Sequence, residues 1–239
     1  QPKVASGAHF GSRLVFDRSG HLFVTLGDRD NVRDFAQDLT RGHGKVMRIT
    51  VDGAPAPGNP TWSVAGAQPT IWSLGHRNPQ GAAVHPVTGD LWVSEHGPQG
   101  GDEINRILPG RNYGWPLVSR GQVYETENPW GDASRAGMED AAWVWLTRDG
   151  SPWSAGQKSS TAPAGMTFYA GTAVPQWQGN LFVTALAGRA LWRLVLDGST
   201  VVSQERLLVD VGRLRDVKTG PDEALYLLTD AGQLLRYGR

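Results

Sequence analysis

One local pattern recurs along this chain of 239 residues. Two short runs of alternating apolar residues flank a turn rich in Asp, Gly or Pro, with clear copies over 14–25, 83–94 and 217–228 and a looser copy over 169–184. Such runs predict antiparallel hairpins, because alternate side chains of a strand face opposite sides of a sheet. The last two copies, at Leu181 and Leu225, lie 44 residues apart, which is close to the repeat length of known propeller blades.

A further apolar run follows three of these hairpins, over 44–53, 189–198 and 232–238, and each carries an Arg that we predict on the solvent face of an outer strand. Repeated units of three or four strands predict an all-β fold of the β-propeller type. We expect four blades, at about 11–53, 70–110, 140–198 and 212–239, within a single domain over 1–239. A β-sandwich is the alternative, but it does not explain the repeated order.

The composition limits which folds and which binding partners are compatible with the chain. The 31 Gly and 15 Pro leave little room for long helices, and only residues 29–41 are expected to form one or two helical turns. Residues 52–60 and 122–137 are expected to form surface loops. Balanced charge, with 23 basic and 23 acidic residues, argues against nucleic acid or an anionic membrane as the main partner.

Several kinds of chemistry are excluded by missing residues and motifs. The chain has no Cys, which excludes thiol catalysis, iron–sulfur clusters, thiolate zinc sites and disulfides. It has no HExxH pair, no GxSxG elbow, no phosphate-binding loop and no dinucleotide fingerprint. No apolar run is long enough for a membrane-spanning helix. The chain begins Gln1-Pro2-Lys3 without Met, which we interpret as a processed or trimmed product.

The residues that could carry chemistry lie just after strands or in loops, where binding groups usually sit on a rigid scaffold. Several of them belong to segments that resemble the soluble glucose/sorbosone dehydrogenase family, which depends on pyrroloquinoline quinone (PQQ). The matching segments are colinear over nearly the whole chain: 9–16, 24–28, 44–48, Leu-Gly-His-Arg-Asn-Pro-Gln-Gly over 74–81, Glu-His-Gly-Pro over 95–98, 101–105, 112–116 and 213–216.

The resemblance implies a six-bladed propeller with PQQ and calcium in a cleft at one end of the ring. Full-length members of the family are longer than this chain, so the resemblance also implies that about two N-terminal blades are missing. That expectation agrees with the four blades counted from the repeat.

The resemblance assigns His9 as the base that removes the sugar's anomeric proton, with Asp28 as its acidic partner. Imidazole suits this role, because its unperturbed pKa near 6.5 leaves it largely neutral. Arg77 and Asn78 match a pair that contacts the quinone, with Arg77 stabilising charge on its oxygen. Without the resemblance, a lone His before a strand is more often a surface residue, and Arg77 could equally form an ion pair between blades.

The remaining cofactor contacts implied by the resemblance are His96, which lies beside the cleft, and Arg213 and Arg215, which reach the quinone carboxylates. Arg213 and Arg215 alternate on one strand and should face the same side. The chain departs from the family where many members have Lys, because it has Ala187-Gly188-Arg189 there. Either this cofactor contact is missing or Arg189 replaces it.

Two metal sites are implied. The backbone carbonyls of Gly97 and Pro98 match calcium ligands next to the quinone, since calcium accepts carbonyl oxygens. A second, structural calcium site would use Asp102, Glu103, the Tyr113 carbonyl and Glu139. From the residues alone, Gly-Pro is only a turn, and acidic loop residues are more often solvated.

The resemblance implies PQQ- and calcium-dependent oxidation of an aldose to its lactone, with electrons passing to an external acceptor. The alternative is a non-catalytic propeller that binds a ligand or partner. A calcium-dependent lactonase is a weaker third interpretation, because its acidic metal cluster is not evident. The resemblance also implies a periplasmic or secreted location.

Overall fold

The computed structural model describes residues 3–152 and 156–238. Its strands form four antiparallel sheets in which neighbouring strands are consecutive in sequence. Sheet 1 contains β1 (Gly11–Phe16), β2 (Leu22–Leu26), β3 (Lys45–Ile49) and β4 (Ile71–Leu74), and sheet 2 contains β5 (Pro79–Val84), β6 (Leu91–Glu95), β7 (Asp102–Ile107) and β8 (Trp143–Trp145). Sheet 3 contains β9 (Pro163–Phe168), β10 (Leu181–Ala185), β11 (Leu191–Asp197) and β12 (Thr200–Leu207). Sheet 4 has three strands, β13 (Leu214–Thr219), β14 (Leu225–Thr229) and β15 (Leu234–Tyr237).

The fold is therefore all-β, and the count of four blades is confirmed. The described residues contain only two short 3-10 helices, Arg33–Gln37 and Pro175–Trp177, and the first lies where helical turns were expected. No helix among the described residues has the length and apolarity needed to cross a membrane. The expectations for Gln1, Pro2, residues 153–155 and Arg239 lie outside the described residues.

The predicted blade boundaries were wrong at three places. Ile71–Leu74 pairs with β3 and Trp143–Trp145 pairs with β7, so each closes the preceding sheet rather than opening the next. The third blade also continues past residue 198 into β12. The fourth strands of sheets 1 and 2 have only four and three residues and follow long irregular segments. Their assignment to a sheet depends on pairing with a third strand, which the local pattern does not reveal.

The arginines predicted on a solvent face are also not uniformly exposed. Arg48, on β3, is 9% exposed and pairs with Asp17 at 2.7 Å. Arg193, on β11, is partly buried and donates to Asn180 at 2.7 Å. Only Arg236, on β15, is exposed. All three arginines bond an acceptor near the turn between the first two strands of their sheet, whether or not a fourth strand lies beside the third.

The hydrophobic core lies between successive sheets. One cluster joins Phe23 and Val46 of sheet 1 to Leu91 and Val93 of sheet 2. A second cluster joins sheets 2 and 3, and a third joins sheets 3 and 4. The first strands of successive sheets, β1, β5, β9 and β13, pack beside one another, which places them on the inner side of a propeller-like arrangement.

This order of strands places many loop residues at one end of the sheets. In a sheet of consecutive antiparallel strands, the first strand begins and the second strand ends at the same end of the sheet. His9 precedes β1 and Asp28 follows β2. Most other residues that the sequence analysis assigned to the site lie at the same end of the sheets. They are Arg77, Asn78, His96, Gly97, Pro98, Asp102, Glu103, Arg189 and Arg213.

Candidate active site

His9 and Asp28 form the best-defined pair at this end of the sheets. The His9 Nδ1 lies 2.7 Å from the Asp28 Oδ1, and Asp28 is completely buried. The other carboxylate oxygen, Oδ2, accepts a hydrogen bond of 2.6 Å from the Trp115 indole. Because a carboxylate accepts, the pair assigns the proton to Nδ1 and leaves Nε2 with a free lone pair. Nε2 has no hydrogen bond to any part of the chain that the structure describes.

The close approach of two loops makes this pair possible. A Cβ on Gly27 would lie 2.0 Å from the His9 carbonyl oxygen, so only glycine lets the end of β2 pass this near to His9. The next residue, Asp28, then lies beneath the imidazole, and its backbone N–H donates to the Arg77 carbonyl at 2.8 Å. The turn after β2 therefore connects His9 to the loop that carries Arg77.

The Arg77 guanidinium is held from three sides. It donates to the Gly97 carbonyl at 2.7 Å, to the His96 carbonyl at 3.1 Å and to the Tyr124 hydroxyl at 2.8 Å. Its carbon lies 5.2 Å from the centre of the Trp115 ring, within cation–π range. Arg77 is 4% exposed, and its Nε has no partner in the described residues. The structure thus brings together Arg77 and Gly97.

Trp115 and Tyr124 are two site residues that the sequence analysis missed. Trp115 contacts both the Asp28 carboxylate and the Arg77 guanidinium, and so joins the two halves of the site. Tyr124 is 54% exposed, with its hydroxyl on Arg77. Trp115 lies in the matched segment 112–116, which could have drawn attention to it. Tyr124 lies in an irregular loop that carries no comparable signal.

Asn78, before β5, and His96, after β6, also lie at this end of sheet 2. The ring Nε2 of His96 lies 2.7 Å from the Pro163 carbonyl. Burial lowers the pKa of His96 and the charge of Arg77 adds to that effect, although Asp102 opposes it. The Asn78 carbonyl accepts from the His96 backbone N–H at 3.2 Å. A neutral His96 that donates through Nε2 leaves Nδ1 as a possible acceptor.

Asp102 fixes the shape of the Gly97 loop. Its Oδ1 accepts from the Gly97 N–H at 3.0 Å, and its Oδ2 accepts from the Ser160 hydroxyl at 2.6 Å and the Ala162 N–H at 2.9 Å. Both oxygens are therefore already used by the protein. This carboxylate connects the Gly97 loop to the segment that leads into β9.

Of the other members of the predicted second calcium site, Glu103 and Tyr113 line the same small cavity. This cavity lies beneath Arg77, and the pKa of Glu103 is raised to about 8 by burial and by the nearby Glu95 carboxylate. The Tyr113 hydroxyl, which is not the predicted ligand atom, accepts from the Leu108 N–H at 2.9 Å. Glu139 pairs instead with Arg111 at 3.4 Å. In the described part of the chain, no group of three or more His, Asp or Glu side chains is arranged to hold a metal ion.

Arg213 and Arg215 form a separate basic group. Both donate through Nε to Asp230, one to each carboxylate oxygen, and both side chains are about half exposed. They do face the same side, although the register shifts between Leu214 and Asp216. Two hydrogen bonds from these arginines lower the pKa of Asp230. Sequence reasoning missed Asp230, which lies in the turn directly after β14.

Arg189 and Arg213 line a surface cavity of about 510 Å³ between sheets 3 and 4, together with Arg148 and Asp230. Arg189 lies 3.9 Å from Asp210 and is largely exposed. This cavity does not include His9 or Arg77. Arg13 on β1, the strand that follows His9, donates to the Arg215 carbonyl at 3.3 Å.

Fold and site together define a propeller-type protein with a carboxylate-oriented imidazole and a row of arginines at one end of its sheets. The family model described as glucose/sorbosone dehydrogenase matches residues 1–236. The chain therefore belongs to the glucose/sorbosone dehydrogenase family.

Individual relatives agree with this assignment. The chain is 44% identical over 241 residues to aldose sugar dehydrogenase YliI of Escherichia coli, covering 98% of this chain and 61% of the relative. A crystal structure of glucose dehydrogenase superposes with a TM-score of 0.89 at 45% identity, covering 100% of this chain and 67% of the other. The PQQ-bound form of aldose sugar dehydrogenase from Streptomyces coelicolor superposes with a TM-score of 0.74 at 30% identity, covering 97% and 62%. The chain thus spans about three fifths of the curated relative's length.

Proposed function

We propose that this chain carries the sugar-oxidising site of a PQQ- and calcium-dependent aldose dehydrogenase, with His9 as general base. The observation that carries the proposal is the pair of His9 and Asp28, joined at 2.7 Å with Asp28 fully buried. The family, and relatives named aldose sugar dehydrogenase, support this choice of chemistry.

Oxidation of an aldose at its anomeric carbon removes a proton from the hydroxyl and a hydride from the carbon. His9 is oriented to accept the proton at Nε2, because Nδ1 is held by Asp28. The buried carboxylate stabilises the imidazolium that forms. Bound PQQ would supply the hydride acceptor at this site, and an external acceptor would reoxidise it.

The basic groups of the site suit a cofactor with three carboxylates. Arg213 and Arg215 use only Nε for Asp230, so their terminal nitrogens remain able to bind carboxylate oxygens. Arg189 adds a third exposed guanidinium in the neighbouring cavity and is our candidate for the Lys found in other family members. Arg77, with Asn78 beside it, would contact the quinone oxygens.

The Gly97 and Pro98 carbonyls suit calcium, which prefers oxygen donors. The Pro98 carbonyl accepts no hydrogen bond from the described residues, and the Gly97 carbonyl accepts one from Arg77. The second calcium site fits less well, because both Asp102 oxygens already accept protein donors. It stays a prediction, and no step of the mechanism depends on it.

The test combines binding with turnover. Purified protein is titrated with PQQ in the presence and absence of calcium, and the quinone absorbance is recorded. Oxidation of several aldoses is then followed with a redox dye as the external acceptor. We expect calcium-dependent PQQ binding and aldose-dependent dye reduction.

Other outcomes favour the alternatives. PQQ binding without oxidation would indicate a ligand-binding propeller, and hydrolysis of a lactone with calcium alone would indicate a lactonase. Absence of PQQ binding would contradict the proposal. We further propose a periplasmic or secreted location, which fractionation of the source cells tests.

A further inference from the structure

Lys45, the first residue of β3, is completely buried with its ammonium enclosed by backbone carbonyls. Nζ donates to the carbonyls of Phe35 at 2.7 Å, Ala36 at 2.9 Å and His43 at 2.8 Å. A lysine ammonium has three N–H donors, and all three are used here. Burial of a charged group is costly unless it is fully hydrogen-bonded, so this arrangement ties Lys45 strongly to the segment 33–43.

The backbone at Gly44 makes this contact possible. Gly44 has a φ of +63°, and a Cβ there would lie 2.5 Å from the Ala36 Cβ and 2.5 Å from the His76 carbonyl oxygen. Glycine is therefore required both by the dihedral angle and by the close approach. The following residue, Lys45, is placed directly against the 3-10 helix.

The same helix contacts the candidate site. Gln37, its last residue, donates from Nε2 to the Trp115 carbonyl at 2.7 Å and exchanges hydrogen bonds with the Asn112 side chain. The Trp115 indole in turn donates to the Asp28 carboxylate, which holds His9. A continuous series of contacts thus runs from Lys45 to the imidazole.

We propose that Lys45 is a positioning residue of the candidate active site: its ammonium holds the helix Arg33–Gln37, and Gln37 and Trp115 pass that placement to the carboxylate that orients His9. The effect on turnover rests on the proposed function, whereas the effect on the geometry of His9 does not.

The protonation state of Lys45 provides a specific readout. Burial lowers the pKa of Lys45 to about 7, although the charge of Asp38 opposes this. A neutral amine has only two N–H donors, so one of the three carbonyls loses its hydrogen bond on deprotonation. The titratable and charged groups on the elements around Lys45 are Asp28 and Arg29 after β2, Arg33, Asp34, Asp38, Arg41 and His43 in the segment 33–43, and His76 after β4.

The experiment uses nitrogen-edited NMR of the indole and imidazole groups in the full chain. The Trp115 indole signal is assigned with Trp115→Phe and the His9 ring signals with His9→Gln. Lys45→Met is compared with wild type, with Lys218→Met as the matched control because the Lys218 side chain is 61% exposed. We expect Lys45→Met to shift the signals of both Trp115 and His9, and Lys218→Met to leave them unchanged.

Two further measurements distinguish a positioning role of Lys45 from a general loss of structure in the variant. Gln37→Leu removes the hydrogen bond from Gln37 to the Trp115 carbonyl without removing a buried charge. It should therefore shift the same Trp115 and His9 signals. It tests the contact between the helix and Trp115 if Lys45→Met does not fold. The difference between wild type and Lys45→Met should also shrink as the pH rises through about 7, because wild-type Lys45 then loses its charge.

Turnover is measured last, with PQQ, calcium and an aldose. We expect Lys45→Met to lower kcat by about 10- to 100-fold, as small displacements of reacting groups do, with PQQ affinity unchanged. Unchanged Trp115 and His9 signals in folded Lys45→Met and Gln37→Leu would overturn the proposal. Lack of sugar oxidation by wild type would contradict the proposed function instead, and the NMR result would still decide the role of Lys45.

Discussion

His9 has a backbone φ of +53°, a conformation that costs free energy in any residue other than glycine. The surrounding structure holds it there. Its carbonyl accepts from the Arg29 guanidinium at 2.8 Å, and its ring is held by Asp28. Strain that is maintained by specific contacts is common at functional sites, and here it accompanies an Nε2 that has no hydrogen-bond partner among the described residues.

The first prediction concerns this imidazole. His9→Gln should lower kcat for aldose oxidation by about 10²- to 10⁴-fold, the usual contribution of a positioned general base. PQQ binding should change little, because it depends on Arg77, Arg213, Arg215 and calcium in the proposed site. Steady-state kinetics and a PQQ absorbance titration check the two statements separately.

Arg213→Ala is the matched comparison, with the opposite expectation. It removes a proposed contact to the cofactor carboxylates, so PQQ should bind more weakly and excess PQQ should partly restore turnover. If His9→Gln abolished PQQ uptake while turnover per bound quinone stayed normal, His9 would have a structural role rather than a catalytic one.

The second prediction concerns Glu103, whose pKa is raised to about 8 by burial and by the nearby Glu95. A carboxyl with a raised pKa in the folded state stabilises the fold while it is protonated, and this contribution is lost as the pH rises through about 8. The unfolding free energy of wild type should therefore fall between pH 5 and pH 8 relative to that of Glu103→Gln. Urea denaturation in the presence of a chelator measures the difference, and parallel pH profiles would contradict the assignment.

At the scale of elements, one arrangement of an aromatic residue, an Arg and a hydrogen-bond acceptor recurs in all four sheets. An aromatic residue on the second strand lies opposite an Arg on the third, and the Arg bonds an acceptor beside the first turn. The pairs are Phe23 with Arg48, Trp92 with Arg106, Phe182 with Arg193, and Tyr226 with Arg236; the acceptors are Asp17, Asp90, Asn180 and Asp222. The repeat in sequence is therefore a repeat of one polar contact as well as of a hairpin.

Burial should decide how much each copy contributes. Arg48 is 9% exposed, and it bonds the Asp17 carboxylate, the His21 ring and the Pro57 carbonyl. Arg48→Met should lower the unfolding free energy by about 3 kcal/mol, because it leaves a poorly solvated carboxylate without its partner.

Arg236→Met provides the control and should cost much less, because Arg236 is exposed and solvent screens its ion pair with Asp222. Chemical denaturation of both variants gives the comparison. Equal losses would show that burial does not determine the strength of this contact.

At the scale of the whole molecule, adjacent sheets are held together by their own core clusters. Between sheets 2 and 3, Trp145 of β8 packs 5.7 Å from Trp192 of β11, measured between ring centres, and donates to Gln204 at 2.8 Å. Near the inner side, Arg13 of β1 donates to the Gln80 carbonyl at 2.5 Å and to Asp216 at 2.7 Å. Contacts of high sequence separation thus connect three of the four first strands.

The last prediction follows from the packing between sheets 2 and 3. Trp145 is 1% exposed, and Trp145→Ala should lower the unfolding free energy by about 3 to 5 kcal/mol through lost burial and the cavity that remains. Val87→Ala should have little effect, since Val87 is 77% exposed. Thermal and urea denaturation measure both, and a small effect of Trp145→Ala would show that this interface contributes little.

Local sequence determined the hairpins, the loops at 52–60 and 122–137, and the strand ends that carry His9, Arg77 and Gly97. These features depend on alternation and on turn residues, which act over a few positions of the chain. Colinear motifs added the family and the residues of its site, including Asp28 as the partner of His9.

Only the tertiary structure decided which strand closes each sheet, and which distant residue completes each contact. Ile71–Leu74 joins sheet 1 because β3 offers an unpaired edge, not because of its own four residues. Trp115 reaches Asp28 across 87 positions of sequence, and Arg13 reaches Asp216 across 203. Such contacts form only when separate sheets pack together. The short-range sequence patterns do not predict them, because those patterns depend on residues a few positions apart.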